Sequence, residues 1–542
     1  MPMTKTNLVL LAGIMLAVVM VMGGLPLLKG GFYIGKHEGD TLHLAELVLR
    51  MANGELPHLD VMTPIGILAM APMVLFVKFG LGLGHAIFYA QILVALALLP
   101  AVLRVAQSRM AGAWPYFYGA FVMVLCLALV HGEAEKSVSI SMHYNRWAWA
   151  VAYIIIPLAV LSPLTRPQPA LDGVIIGIGL GLLALTKVTY FVSFAPAILV
   201  PLLARREWGT ILAAGLAGLA VAGITTLFTG PEFWLAYLND LRTVSASVVR
   251  PNPGEPLGGT IASPPYMGAS ITLIAAVIML RQAGRSVEGM ALLFLMPGFF
   301  YVTYQNFGND PQWLFLLVLI IFMALPSKGV TNGLGWDLRD ALRITGILAI
   351  AFGAPSAINL AYSPFRHFST SEVDRVPLLP GLPAHHDILT IESRIYQVDV
   401  AVSADGPGQP LAAYRDRADR PPFGTYNGEA LPECVIENGM HAWFETVSAD
   451  LTAAGYGGKA ILSTDLFNLF WAFGDFAPVK RSAPWYYGGL SGVENADYLV
   501  IPLCPVHAKV RAGMLSAMEK GGWTLTEVRR TPLYILAKAK AP

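Results

Sequence analysis

Charged residues are scarce in this sequence of 542 residues. They make up 13% of it, whereas hydrophobic residues make up 55%. Soluble globular domains carry about 25% charged residues, so the composition excludes an ordinary soluble protein and indicates a polytopic membrane protein. The net charge of +1 gives no electrostatic basis for nucleic-acid binding, and we expect no nucleic-acid partner.

Cysteine is also rare, with three residues in the chain. Cys126 falls in an apolar segment, whereas Cys434 and Cys504 fall in the polar C-terminal part. Because no C-x-x-C pair is present, zinc-ribbon or thioredoxin-like chemistry has no support. For Cys434 and Cys504, a disulfide and two free buried thiols are equal alternatives.

The first apolar run, residues 7–28, lacks a following A-x-A cleavage site, which predicts an uncleaved membrane helix. Eleven further apolar segments follow, the last near 341–361. Arginines occupy several of the short stretches between these apolar segments. The positive-inside rule places all of these stretches in the cytoplasm only if residues 64–103 make one net crossing of the membrane. Because prolines, glycines and Lys78 interrupt 64–82, we expect that segment to be re-entrant or broken, and about eleven crossings in total.

Residues 362–542 are rich in charge, proline and turn residues. Apolar patterns there alternate between helical and strand-like, as in "GMHAWFETVSADLTAAGYGG" and "ADYLVIPLCP", which favours a small α/β layer. No phosphate-cradling glycine-rich loop follows the strands. The predicted fold is therefore a polytopic α-helical membrane domain, residues 1–361, followed by a soluble external α/β domain, residues 362–542.

This topology places most of the unusual polar sequence on one side of the membrane. In "KHEGDTLHLAEL", Glu38 and Asp40 are separated by one glycine, and in an extended segment both would project to the same side. Residues 41–52 have apolar residues at helical spacing, which predicts an amphipathic helix on the membrane surface that ends at Asn53-Gly54. Ionisable residues this close to lipid indicate a functional site.

The acidic pair and the stretch "ANGELPHLDVMTPIG" resemble the first external loop of the GT-C superfamily of membrane glycosyltransferases, specifically its bacterial dolichyl-phosphate-mannose-mannosyltransferase-like families. The resemblance is carried by residues 36–68 and by the order of many helices followed by an external domain. It implies a GT-C-like fold and transfer of a sugar from a polyprenyl-phosphate donor. It also implies a bacterial inner-membrane protein whose active site and C-terminal domain face the periplasm.

The chemistry of such a transfer requires one carboxylate to take the acceptor proton and a cation to hold the phosphate. We expect Asp40 to be the base and Glu38 to orient it, although the two roles could be exchanged. Arg146 and Lys187 are the candidate phosphate ligands. For Arg146 the alternative is an arginine that reaches lipid headgroups, and for Lys187 it is pairing with a helix-end carbonyl.

Further polar residues on the external side are expected to bind substrate. They are His37, His58, Asp60, Tyr144, Asn145, Gln305, Asn306, Asn309 and Asp310. Asp310 could instead cap a helix that starts at Pro311. We expect no required cofactor; a divalent metal lacks support. The expected partners are the lipid-linked donor, a glycan, lipid or protein acceptor, and membrane lipids. A transporter or flippase of lipid-linked saccharides and a non-enzymatic scaffold are the rival functions.

Overall fold

The computed structural model describes residues 6–131, 135–247, 258, 263–305, 311–417 and 423–542. The described helices are α1 (Leu8–Lys29), α2 (Glu38–Ala52), α3 (Ala71–Lys78), α4 (Leu83–Arg109), α5 (Trp114–Leu127), α6 (His143–Val160), α7 (Pro169–Thr186), α8 (Val188–Ala204), α9 (Trp208–Thr229), α10 (Glu232–Ser245), α11 (Pro264–Gln282), α12 (Ser286–Gln305), α13 (Leu314–Met323), α14 (Leu338–Phe368), α15 (Glu392–Tyr396), α16 (Met440–Ala453), α17 (Phe470–Phe473) and α18 (Ala508–Lys520).

Seven of these described helices, α1, α4, α7, α9, α11, α12 and α14, are long and apolar enough to cross a membrane. Three shorter apolar helices, α5, α8 and α13, accompany them. A membrane-embedded helical protein is therefore confirmed. The number of about eleven crossings stays a prediction.

The segment 64–82 is broken, as its prolines and glycines predict. A single turn of 3₁₀ helix, Ile67–Ala69, precedes the eight-residue helix α3, which is about 12 Å long and too short for a hydrocarbon core of about 30 Å. A Cβ atom on Gly66 would lie 2.1 Å from the carbonyl oxygen of Leu185. Glycine therefore lets the broken segment lie directly against the end of α7.

Arginines that we expect in the cytoplasm meet at one end of the helical bundle. Nε of Arg104 lies 2.8 Å from Asp172, and Nη2 of Arg109 lies 2.8 Å from the other oxygen of the same carboxylate. Arg205 donates to the main chain of Ala159 at the end of α6. These guanidinium groups are largely buried and pair with a carboxylate or with carbonyl groups at helix ends. A buried charge is costly unless it is paired in this way.

Helix α9 packs along α7 through a row of glycines. Gly173, Gly177 and Gly181 recur every four residues on α7, and a Cβ atom on Gly177 would lie 2.1 Å from the carbonyl oxygen of Ala214. Small residues at this spacing let two membrane helices approach closely. Helix α9 packs closely against α7 but touches α8 at few points. A space therefore remains between α8 and α9.

Ten of the eleven described strands belong to the C-terminal region, and β1 lies near the N-terminus. The strands are β1 (Phe32–Tyr33), β2 (Arg375–Pro377), β3 (Ile388–Ile391), β4 (Asp399–Val402), β5 (Thr425–Tyr426), β6 (Glu429–Ala430), β7 (Cys434–Asn438), β8 (Ile461–Ser463), β9 (Tyr498–Pro502), β10 (Thr524–Arg530) and β11 (Tyr534–Lys540). The largest sheet has the order β10-β11-β9-β8, with β8 and β9 parallel. Helix α16 and strand β9 occur where the apolar patterns predict them. Cys434 and Cys504 form a disulfide.

The boundary that we expected at residue 361 lies inside a helix, because α14 continues to Phe368. The C-terminal region also contacts the first loop directly. Strand β1 pairs with β3 in parallel, and the carboxylate of Asp387 accepts hydrogen bonds from the main chain and the ring of His85 at the start of α4. A carboxylate at a helix N-terminus satisfies free N–H groups. The division into residues 1–361 and 362–542 stays a prediction.

We predict that the first loop and the C-terminal region both face the periplasm. Cysteine introduced at Lys36 or at the 57% exposed Val398 should react with a membrane-impermeant maleimide in intact cells, whereas cysteine at the 76% exposed Leu334 should react only after permeabilisation. The wild-type chain is the control, because Cys126 is buried and Cys434 is bonded to Cys504. Labelling of only one of positions 36 and 398 in intact cells would contradict the prediction.

Candidate active site

Helix α2 carries the acidic pair and is enclosed by protein. It begins at Glu38, and its residues Thr41–Met51 are all buried. The amphipathic helix is confirmed, but residues of the C-terminal region cover its polar face. Nε2 of His43, for example, lies 3.1 Å from the hydroxyl of Tyr487. A helix that we expected on the membrane surface thus lies beneath the C-terminal region.

The expectation that Glu38 and Asp40 lie in an extended segment is wrong. Both belong to the first turn of α2, where residues two apart point in different directions. Gly39 separates them for a packing reason, since a Cβ atom there would lie 2.6 Å from the ring of Phe467. The two carboxylates therefore have different neighbours.

Glu38 is bound by the C-terminal region. Its carboxylate accepts hydrogen bonds from Nε and Nη2 of Arg394, the latter at 2.7 Å, and from the hydroxyl of Thr390 at 3.0 Å. Burial alone would raise the pKa of the Glu38 carboxyl, but the Arg394 hydrogen bond and the other donors lower it overall. Glu38 is thus held ionised in a fork-to-fork pair.

Asp40 faces a small polar cavity. The hydroxyl of Ser141 donates to Oδ2 of Asp40 at 3.0 Å. The cavity has a volume of ≈ 20 Å³ and is lined by Asp40, His43, Ser141, His143 and Tyr144 together with apolar side chains. This space holds about one water molecule. Asp40 is therefore the acid of the pair that borders a cavity.

Lys187 lies over the ring of Tyr144. It occupies the junction between α7 and α8, and its Nζ atom lies 5.1 Å from the centre of the Tyr144 ring. A cation at this distance is attracted by the face of the ring. Since Tyr144 also lines the Asp40 cavity, one aromatic ring connects the candidate base and a candidate phosphate ligand.

An apolar groove begins beside Lys187. It occupies the space between α7, α8 and α9, has a volume of ≈ 570 Å³, and is lined by apolar residues and glycine alone. Ala184 and Leu185 line it at the end nearest Lys187, together with Trp234 of α10. Its volume falls in the usual range for small-molecule sites.

Arg146 lies next to the site but is directed at the main chain. It is 1% exposed, and its guanidinium donates to the carbonyl oxygens of Ala128, Val130 and Ser141. Asn145 is buried beside it. Arg146 thus fixes the loop that precedes α6 and that supplies Ser141 to the cavity.

His58 and Asp60 occupy a second polar cluster on the same side. Nδ1 of His58 lies 2.9 Å from the carboxylate of Asp240, and its ring stacks on Tyr237. Asp60 accepts from the main-chain N–H of Leu56. Asp240 and Tyr237 belong to α10. Gln305 ends α12, whereas Asn306, Asn309 and Asp310 lie outside the described residues.

Residues 131–141 add groups that sequence reasoning passed over. Nδ1 of His131 lies 2.9 Å from the hydroxyl of Ser141, and Nδ1 of His37 lies 3.2 Å from the hydroxyl of Ser139. The rings of His37 and His131 stack with their centres 4.8 Å apart. The alternating serines of "SVSISM" indicate a polar face in this segment, because residues two apart in an extended segment lie on the same side.

Strained backbone conformations occur at the starts of α2 and α6. Among the described residues, seven other than glycine have a positive φ angle, and His37, His58 and Met142 are three of them. His37 and Met142 directly precede α2 and α6. Residues held in this region persist where the surrounding structure forces them, which is common at functional sites.

Comparisons of the chain with protein-family models, curated proteins and solved structures return no match. Membership of the GT-C superfamily therefore remains an expectation carried by the residues themselves. Within the described ranges, no three histidine, cysteine or carboxylate side chains converge as metal ligands would. The expectation that no cofactor is required stays a prediction.

A buried ion pair anchors α2 beneath the C-terminal region. Glu46 is fully buried, and its carboxylate lies 3.2 Å from Nη1 of Arg50. The Arg50 guanidinium also donates through Nη2 to the carbonyl oxygen of Val479 and pairs with Glu55. Burial raises the pKa of the Glu46 carboxyl to about 7, although Arg50 counteracts part of the shift. The folded protein therefore binds a proton at Glu46 more tightly than the unfolded chain does.

We predict that this carboxyl lowers stability as the pH rises from about 4.5 to about 7, because ionisation is easier in the unfolded chain. Glu46→Gln removes the ionisation, so its melting temperature at pH 7 minus that at pH 4.5 should be more positive than the same difference in the wild type, measured by thermal unfolding in detergent. Glu429→Gln, at an exposed pair with Arg530, is the control and should keep the wild-type slope. An unchanged slope in Glu46→Gln would refute the prediction.

Proposed function

We propose that the protein is an inverting glycosyltransferase of the GT-C type, which moves a sugar from a polyprenyl-phosphate donor to an acceptor hydroxyl at the periplasmic face of a bacterial inner membrane. The proposal rests chiefly on one arrangement. The apolar groove reaches Leu185, two residues before Lys187, the Nζ atom of Lys187 lies over the ring of Tyr144, and Tyr144 lines the Asp40 cavity. This order matches a donor made of a lipid chain, a phosphate and a sugar.

In the proposed reaction Asp40 accepts the proton of the acceptor hydroxyl, whose oxygen attacks the anomeric carbon from the face opposite the phosphate. The bond between that carbon and the phosphate oxygen breaks, and the configuration inverts. Lys187 stabilises the charge that develops on the leaving phosphate. Because phosphate is a good leaving group, a second carboxylic acid is not needed, in contrast to glycoside hydrolysis.

The proposal divides the predicted site residues by their neighbours. Glu38 positions α2 through Arg394, so its contribution is to the location of Asp40. Lys187 is assigned to the phosphate, whereas Arg146 is assigned to the loop whose carbonyl groups it binds. His37, Tyr144 and Asn145 lie at or next to the cavity and are assigned to the acceptor side. Opening of the cavity around Tyr144 admits the acceptor.

Asp40→Asn should fold and bind donor, but its turnover should fall by roughly 10²–10⁴-fold, because an amide cannot accept the acceptor proton. Release of lipid phosphate from a panel of polyprenyl-phosphate sugars measures the rate. Glu38→Gln is the matched control, since it weakens the Arg394 pair and should lower stability more than turnover at low temperature. Near-normal turnover in Asp40→Asn would remove Asp40 from the base role.

Lys187→Ala should weaken donor binding by roughly 10- to 100-fold, the equivalent of about 1.5–3 kcal/mol for one charge-assisted contact. Lys187→Arg keeps the charge and should recover most of the affinity. Binding of a radiolabelled polyprenyl-phosphate sugar to purified protein provides the measurement. Equal affinity in the wild type and Lys187→Ala would show that another group holds the phosphate.

A further inference from the structure

A row of polar groups leads from Asp40 toward the protein surface. Oδ2 of Asp40 lies 3.0 Å from the hydroxyl oxygen of Ser141, which lies 2.9 Å from Nδ1 of His131. The His131 ring stacks on His37, and both histidines are partly exposed, whereas Ser141 is 3% exposed. The carboxylate is thus connected to the outside by one buried hydroxyl and one imidazole.

The proposed reaction creates a need for such a connection. Each transfer leaves the acceptor proton on Asp40, and a protonated carboxyl cannot serve as the base of the next cycle. The leaving group is a phosphate monoester with a second pKa near 6, so at neutral pH it does not retain this proton. One proton per sugar must therefore leave the site.

We propose that Ser141 and His131 form a proton path that returns Asp40 to its ionised form after each transfer, an inference that rests on the proposed function. A hydroxyl both donates and accepts, and it rotates freely. Asp40 gives its proton to the Ser141 oxygen while the Ser141 hydroxyl gives its own to Nδ1 of neutral His131. The proton on Nε2 then passes to water, which leaves the imidazole neutral with its proton on Nδ1. Exchange with water returns that proton to Nε2 before the next cycle, and no bond other than these O–H and N–H bonds changes.

The surroundings of His131 favour an imidazole that holds a proton only briefly. The pKa of His131 is lowered to about 4, mostly by burial and in part by the neighbouring His37, Arg146 and Lys36, with Glu135 acting in the opposite direction. The imidazole is therefore neutral at neutral pH and able to accept, and it releases a proton rapidly once it has one. A histidine with an ordinary pKa would retain the proton for longer.

The proposal is tested by turnover at saturating donor and acceptor. Ser141→Ala and His131→Gln should lower kcat by roughly 10- to 100-fold, at the low end of what acid–base groups contribute, while KM for the donor stays within about twofold. Ser141→Thr keeps the hydroxyl and should retain most of the rate. His386→Gln, at an exposed histidine of the C-terminal region, is the control and should match the wild type.

Chemical rescue distinguishes a proton-transfer role of these residues from a purely structural one. His131→Ala should regain activity when free imidazole is added, and its kcat should rise with buffer concentration, neither of which would follow if His131 only supported the loop. Wild-type kcat in both Ser141→Ala and His131→Gln would overturn the path and leave the proposed function standing. Loss of rate without rescue by imidazole or buffer would also overturn it. A wild-type protein that transfers no sugar would overturn both.

Discussion

The pairing of Glu38 with Arg394 is the interaction on which the candidate site depends. It joins the first turn of α2 to a residue 356 positions later in the chain, and with Arg50 and Glu46 it holds a polar helix in a fully enclosed position. Buried charges are tolerated only when they are paired. Because Arg394 of the C-terminal region binds Glu38 and the carbonyl oxygen of Val479 accepts a hydrogen bond from Arg50, that region is part of the scaffold of the site.

This scaffold gives the two neighbouring acids different surroundings. Glu38 is engaged by donors on its side of the helix, whereas Asp40 points to a cavity that also contains Ser141 and Tyr144. The glycine between them permits the aromatic side chains of the C-terminal region to close over the turn. Separation of a structural and a reactive carboxylate by their environments is a recurring way to assign acid and base roles.

Local sequence patterns predicted the elements but not their partners. The helix after Asp40, the break at 64–82, helix α16 and strand β9 follow from hydrophobic periodicity and from proline and glycine. The partners of Asp40 and Glu38 do not, because Ser141 and Arg394 are 101 and 356 residues away. The interpretation of Glu38 and Asp40 as an extended pair was wrong because periodicity of two applies only to strands, and the chain there has begun a helix.

The central claim is that groove, cation and carboxylate bind one lipid-linked donor in a fixed order. A cryo-EM structure of the protein with a non-hydrolysable polyprenyl-phosphonate sugar tests it most directly. The account predicts the lipid chain between α7, α8 and α9, the phosphonate within hydrogen-bond distance of Nζ of Lys187, and the sugar between Tyr144 and Asp40. A sugar bound away from Asp40, or a phosphonate held by other cations with the groove empty, would contradict it.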